Sequence, residues 1–250
     1  MKPDLLVSIP SRNRHIELMK LLKHLYSICV DKNSFDIQII LDTDNYFTYN
    51  DVIIRYPDLI YTFIPYADGS WLNIFNAEHK TMLKYQYYFM WFLPDDITGI
   101  TPNWDRDILS KKKAFKDDLF MLYTHGAGNW GRSLGTHENC YTNIDRADLV
   151  DVHEPNPVWT YKWCEFIAPL FEPPSVYITY RELIMAQILR QLFIKYGINR
   201  NVECGINYAN IVNDGNSAKM CGFWDVLKEH KYDTLISVVN RMKEYVDANK

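Results

Sequence analysis

The feature that most narrows what this chain can fold into is a rhythm in its first hundred residues. Short apolar runs are stopped by proline or by polar clusters, and helical patterns separate them. Leu5 to Ile9 is apolar and closed by Pro10, as expected of a strand buried on both faces. Ser11 and Asn13 are cap-type residues, and Ile16, Met19, Leu22, Leu25, Tyr26 and Cys29 then recur at helical spacing. Phe35 to Leu41 is rich in β-branched residues and runs into Asp42, Asp44 and Asn45. Asp51 to Tyr56 predicts a short helix, Leu59 to Ile64 a third strand, and Trp71 to Gln86 a helix. Tyr87 to Leu93 is a fourth, very apolar strand that runs into Pro94-Asp95-Asp96.

Strand and helix alternating in this way predict a three-layer α/β domain with a mainly parallel sheet. Ligands of such sheets bind beyond the carboxyl ends of the strands. Ser11 to Arg14, Asp42 to Asn45, and Asp95-Asp96 should therefore meet on one rim. The second half is less regular. Leu119 to Tyr123 reads as a strand, His125 to Pro157 as a long polar loop, and Tyr180 to Tyr196 as an amphipathic helix stopped by Gly197. Asn207 to Cys221 reads as a polar loop and Phe223 to Val246 as a closing helix. There is no internal repeat and no Gly/Ser linker, so one domain is expected.

Composition removes several classes. With 48% apolar and 23% charged residues the chain is not disordered. A net charge of −4 argues against nucleic acid as the main partner, because phosphate binding needs a basic surface. The 5 cysteines (Cys29, Cys140, Cys164, Cys204 and Cys221) are scattered, with no C-x-x-C pair, which fits a reducing compartment rather than a disulfide framework. The apolar run near the N-terminus is too short for a signal peptide. No apolar stretch approaches the roughly 18 residues of a membrane span, so a cytoplasmic protein is expected.

Asp95-Asp96 is the centre of the chemistry. Two adjacent carboxylates after a buried strand are costly unless paired, and a hard divalent cation carrying a diphosphate offsets their repulsion. Pro-Asp-Asp alone is also ordinary turn chemistry; its place beside the other polar strand ends is what favours a site. Arg12 and Arg14 sit at the start of a helix, where cations are not favoured, which points to a nearby anion. Asp42 and Asp44 read equally well as turn formers.

The segments LLVSIPSRNRHIELMKLLKHLY, FDIQIILDTDN, ADGSWLNIFNAEHK and YYFMWFLPDDI together resemble the nucleotide-sugar-binding half of GT-A-fold glycosyltransferases, especially the inverting family 2. The resemblance spans about residues 4 to 110. It implies that Pro10, Ser11, Arg12 and Arg14 line the nucleotide pocket, and that Asp42 or Asp44 contacts the base or ribose. It further implies that Asp96 binds Mn2+ or Mg2+, with Asp95 beside it and nearer the ribose. The family's usual motif has a further carboxylate or another first residue where this chain has Pro94. The expected function is transfer of a sugar from a nucleoside diphosphate sugar, a UDP-sugar foremost, to a saccharide or other hydroxyl acceptor, with inversion. The expected layout is a single domain over residues 1–250, made of a nucleotide-sugar-binding half (1–110), an acceptor-binding half (111–221) and a C-terminal helix (222–250). Family members carry the catalytic base at a helix start, commonly in a Glu-Asp pair, and none follows the Pro-Asp-Asp motif here. Glu182 at the head of the later helix and Asp151 in the long loop are the candidates, with Asp145, Asp148 and Glu165 as rivals. His125 and His153 are further candidates for a metal shell. Trp130, Trp159, Tyr161 and Trp163 could form an acceptor platform or simply pack in the core. Two other functions compete: a nucleotidyltransferase, disfavoured because SIPSRNR lacks a Gly-rich phosphate loop, and a non-catalytic nucleotide- or sugar-binding protein. A transferase acting on modified nucleic-acid bases is a more distant third.

Overall fold

The computed structural model describes residues 2–65, 72–127, 156–171, 181–210 and 232–250. Among the described residues eight strands form one sheet: β1 (Leu5–Ser11), β2 (Phe35–Asp42), β3 (Ile60–Ile64), β4 (Phe89–Phe92), β5 (Ile97–Thr98), β6 (Met121–Ala127), β7 (Val158–Thr160) and β8 (Asn201–Asn210). Their order is β3-β2-β1-β4-β7-β6-β8-β5. The block β3-β2-β1-β4 is parallel throughout, as is the β6-β8 pair. In contrast, β7 runs antiparallel to both β4 and β6, and β5 antiparallel to β8.

The three layers follow from the pleat. All seven residues of β1 are buried, and they alternate between two cores. Leu5, Val7 and Ile9 face one core. It holds Leu18, Leu21, Leu22 and Leu25 of helix α1 (His15–Ile28), Val52 of α2 (Asn50–Arg55), and Trp104 and Ile108 of α4 (Trp104–Leu109). Leu6 faces the other core. There Met90 and Phe92 meet Phe75 and Met82 of α3 (Leu72–Tyr85), Trp163 and Ile167 of α5 (Tyr161–Ile167), Ile188 and Leu192 of α6 (Arg181–Tyr196), and Val238, Val239 and Met242 of α7 (Tyr232–Ala248). Four leucines of α1 at spacings of three and four residues make one apolar stripe, which is why that segment docks as a helix. Asp105 of α4 ties down the connection that follows α1, accepting from the Val30 and Asp31 backbone N–H groups and from Ser34 Oγ.

Two prolines determine where the central ladder ends. The register sets Ser8 opposite Phe92, and Ser8 O accepts from Leu93 N. Continued two residues, that register puts Pro10 opposite Pro94. The Pro10 nitrogen lies on the same side of β1 as the Ser8 carbonyl, has no hydrogen to donate, and cannot extend the ladder. The two strands therefore part there, and Asp95 and Asp96 follow in the gap.

Beyond β4 the structure differs from the sequence-based expectation at several places. The segment after Asn207 does not start as a loop, because β8 runs to Asn210. Cys204, Ile206 and Tyr208 alternate into the core. Gly205, at φ +78°, lies where the β6-β8 register shifts, a bulge conformation that suits glycine. β6 runs to Ala127, into the start of the segment His125 to Pro157 expected to be a loop, and Val158 to Thr160 forms a short strand directly after that segment. Trp104–Leu109 and Tyr161–Ile167 are helices for which the sequence gives no expectation. The closing helix is described from Tyr232 to Ala248. Among the described residues no helix is long and apolar enough to cross a membrane.

Candidate functional site

The site is built where β1, β2 and β4 end. After Ser11 the chain turns through Arg12 and Asn13 into Arg14, the N-cap of α1, whose side chain makes no capping hydrogen bond to the helix. Asn13 adopts φ 56°, in the left-handed region that asparagine tolerates better than most residues. Its Oδ1 accepts from Asn45 Nδ2 at 2.9 Å, which fastens this turn to the 3-10 segment Thr43–Tyr49 after β2.

Arg12 bridges to that segment. Its Nη1 lies 2.6 Å from Asp42 Oδ2, and its two terminal nitrogens reach the two Asp44 oxygens at 3.2 and 3.1 Å. The hydrogen bonds that Arg12 donates to Asp42 and Asp44 push its pKa up. Arg14 bridges in the other direction: a single nitrogen, Nη1, lies 3.2 Å from Asp95 Oδ1 and 3.3 Å from Asp96 Oδ2. Burial pulls the Arg14 pKa down, but Asp95 and Asp96 outweigh it and the net direction is up.

Asp95 is buried, only 6% exposed. A chain of hydrogen bonds ends on it. The Arg14 backbone N–H can only donate, so Tyr49 Oη accepts it at 3.1 Å. Ser11 donates its single hydroxyl proton to Asp95 Oδ2 at 2.6 Å, so at the 2.8 Å contact between Ser11 Oγ and Tyr49 Oη the tyrosine is the donor. The chain thus runs from the Arg14 N–H to Asp95, and its last proton points at a carboxylate oxygen. Burial raises the Asp95 pKa from 3.8 to about 6, and the Asp96 charge adds to the rise; the Ser11 hydrogen bond and Arg14 oppose it.

Eight sequence-predicted positions therefore meet: Pro10, Ser11, Arg12, Arg14, Asp42, Asp44, Asp95 and Asp96. Glu182 lies in the first turn of α6. Asp151, Asp145, Asp148, His153 and Trp130 fall outside the described residues, while His125 belongs to β6. Glu165 is paired with Lys162. The aromatic platform is corrected in part: Trp159 and Trp163 are fully buried in the core, and Trp163 Nε1 is spent on Met185 Sδ. They cannot present a face to a sugar. Asn13 and Asn45 lie in the polar strand ends that the sequence marks and meet through a hydrogen bond, whereas Tyr49 is a site residue that the sequence alone does not disclose. Nothing local marks Tyr49, a tyrosine in a polar turn whose partners lie 35 and 38 residues away in the chain.

Two carboxylates, one buried and one partly so, fit a hard cation such as Mg2+ or Mn2+, which takes one or two carboxylates and fills its shell with phosphate oxygens and water. Among the described residues no group of three or more His, Cys, Asp or Glu side chains could hold a metal. A cation here would accordingly need its ligand's oxygens. The rim carries two arginines against four aspartates and is net acidic.

No protein-family model matches the chain, and no curated protein matches it in sequence. Solved structures do match. Staphylococcus aureus TarS 1–349 in complex with UDP superposes with a TM-score of 0.58 at 14% identity, covering 94% of this chain and 65% of that one. Glucosyl-3-phosphoglycerate synthase from Mycobacterium tuberculosis, in complex with Mg2+ and UDP, gives 0.58 at 9% identity, covering 91% and 79%. The mannosyltransferase PcManGT from Pyrobaculum calidifontis, in complex with GDP-Man and Mn2+, gives 0.56 at 10% identity, covering 86% and 59%. The chain thus spans less than two thirds of the TarS and PcManGT chains. At these identities the likeness is one of fold, and the fold is that of GT-A glycosyltransferases.

Proposed function

We propose that this chain is a glycosyltransferase that binds a nucleoside diphosphate sugar through a divalent cation and passes the sugar to a hydroxyl acceptor. The observation that carries the reading is the convergence of three parallel-strand ends into one hydrogen-bonded acidic rim, on a fold whose solved neighbours were crystallised with nucleotides and Mg2+ or Mn2+. Asp96 and Asp95 would hold the Mn2+ or Mg2+ ion. When bound, the ion supplies positive charge that stabilises the leaving diphosphate.

The chain's own residues have separable tasks. Ser11, held by Tyr49, donates to Asp95 and partly offsets the effect of burial on it. Arg12 holds Asp42 and Asp44 at the place where the resemblance puts the base and ribose. Pro10 has no N–H with which to extend the β1–β4 ladder, so the chain after β4 is free to turn into Asp95 and Asp96. A UDP-sugar is the first donor to try, since both TarS and the phosphoglycerate synthase were crystallised with UDP. Inversion requires a base to take the acceptor's proton, and Glu182 and Asp151 are the residues to test for it. One domain over residues 1–250, with donor half, acceptor half and closing helix, is part of the proposal. So is a cytoplasmic setting, which the free thiols of Cys29, Cys164 and Cys204 favour.

The test is a thermal-shift screen of UDP, GDP and ADP with and without Mn2+, followed by hydrolysis and transfer assays with the matching sugar nucleotides. One nucleoside diphosphate should raise Tm in a Mn2+-dependent way, and Asp96→Asn should remove that dependence. An unchanged shift in Asp96→Asn refutes the metal assignment. Nucleotide binding without turnover of any sugar nucleotide favours the non-catalytic binding protein instead.

A further inference from the structure

Arg14 is placed unlike a structural arginine. One nitrogen serves two carboxylates at 3.2 and 3.3 Å, long for charge-assisted bonds, which ordinarily close to about 2.7–2.9 Å. Its side chain is 43% exposed, whereas those of Asp95 and Asp96 are 7% and 16% exposed. Its backbone is pinned, because Tyr49 accepts the Arg14 N–H. The root of the side chain is thus fixed while its tip is held loosely. It also stands at a helix N-terminus, where a cation gains nothing from the helix dipole and is available to an anion.

We propose that Arg14 is a transferable counter-ion. It neutralises Asp95 and Asp96 while no divalent cation is bound, yields their oxygens when one binds, and turns to the diphosphate that the cation brings. The inference rests on the reading of Asp95 and Asp96 as the metal-holding pair. It adds an order of events: a net acidic rim repels a diphosphate until the cation is in place, so the cation, or the cation already on its nucleotide, must come first. It also predicts effects of opposite sign. Without Arg14, the carboxylates lose a competitor and should bind the cation alone more tightly. The diphosphate loses a charged donor and should bind more weakly. Damage to the fold would weaken both.

The experiment measures Mn2+ binding by electron paramagnetic resonance of the free ion, and UDP binding at saturating Mn2+ by calorimetry, on wild type, Arg14→Gln, Arg14→Lys and Asp96→Asn. Arg14→Gln should bind Mn2+ about threefold more tightly, the scale of a part-exposed ion pair. It should bind UDP about tenfold more weakly, the scale of one charge-assisted hydrogen bond. Arg14→Lys keeps the charge and should stay within about twofold of wild type for Mn2+. Unchanged or weaker Mn2+ binding by Arg14→Gln overturns the proposal, as does an Arg14→Lys that binds Mn2+ as tightly as Arg14→Gln. If Asp96→Asn binds Mn2+ like wild type, the metal assignment itself fails and takes the inference with it. If Asp96→Asn loses Mn2+ binding, the metal assignment stands, and the Arg14 variants decide the counter-ion role alone.

Discussion

Two guanidinium–carboxylate sites in this molecule use the same groups to opposite ends. Arg200 and Asp117 form a closed pair with bonds of 2.9 and 2.7 Å, and both side chains are under a tenth exposed. Asp117 also accepts from the Leu119 N–H, and its backbone carbonyl accepts from Tyr245, while Phe115 lies beneath the guanidinium at 4.2 Å. That cluster joins the entry to β6, the entry to β8, and α7. The Arg14 cluster instead shares one nitrogen between two acids and stays half open. Residue type does not separate a lock from a site. What separates them is how completely the charges are satisfied by the protein itself.

The contrast can be broken most directly at the lock. Arg200→Met leaves the Asp117 charge buried without its partner and should lower stability by about 3–5 kcal/mol in urea unfolding. Mn2+ affinity should be unaffected. A loss similar to that of a surface substitution would mean the pair is not a lock.

The second prediction runs the other way. Asp95→Asn should raise stability at neutral pH by about 1–3 kcal/mol while abolishing Mn2+-dependent nucleotide binding. Burial holds the folded Asp95 pKa at about 6, above its ordinary 3.8. The folded state therefore favours the protonated form, and its contribution to stability is present below about pH 4 and lost as pH rises through about 6. The Tm difference between Asp95→Asn and wild type should open across that window and level off above it. A gap independent of pH would rule out this origin.

Tyr49→Phe should cost about 1–2 kcal/mol, because it strands the Arg14 N–H and removes a donor from Ser11. Mn2+ affinity should fall with it, since Asp95 loses the support of the hydrogen-bond chain; equal Mn2+ affinity would show that the chain serves the fold alone. The smallest effect belongs to Arg12→Ala. The Arg12 side chain is 36% exposed and its partners Asp42 and Asp44 are 15% and 51% exposed, so Tm should fall only slightly. The clearer effect should be seen in nucleotide affinity.

The legible and illegible parts of the chain divide along the same line. β1 to β4 could be read because each is a short apolar run, and because a parallel sheet places all its polar strand ends on one rim. β7 has three residues, too few for any periodicity to register. β8 did carry a signal, in the alternation of Val202, Cys204, Ile206 and Tyr208, but its Asn and Gly content masked it. Within the site, Asp95 and Asp96 could be found from the strand they end. Their pairings could not, since Ser11 and Arg14 lie 84 and 81 residues from Asp95. Trp159 and Trp163 were ambiguous for a different reason: an indole that packs and an indole that stacks on a sugar look the same in a sequence.

Pro10 and Pro94 give the gap between β1 and β4 an origin that neither ligand nor temperature alters. At that rung one strand lacks the hydrogen and the other has begun a proline turn, so the two backbones cannot zip further. The opening that receives Asp95 is a property of covalent structure, and it exists as soon as the sheet forms. An amide hydrogen at position 10 would turn that permanent gap into an equilibrium between an open rung and a closed one, with every ligand having to compete against the sheet.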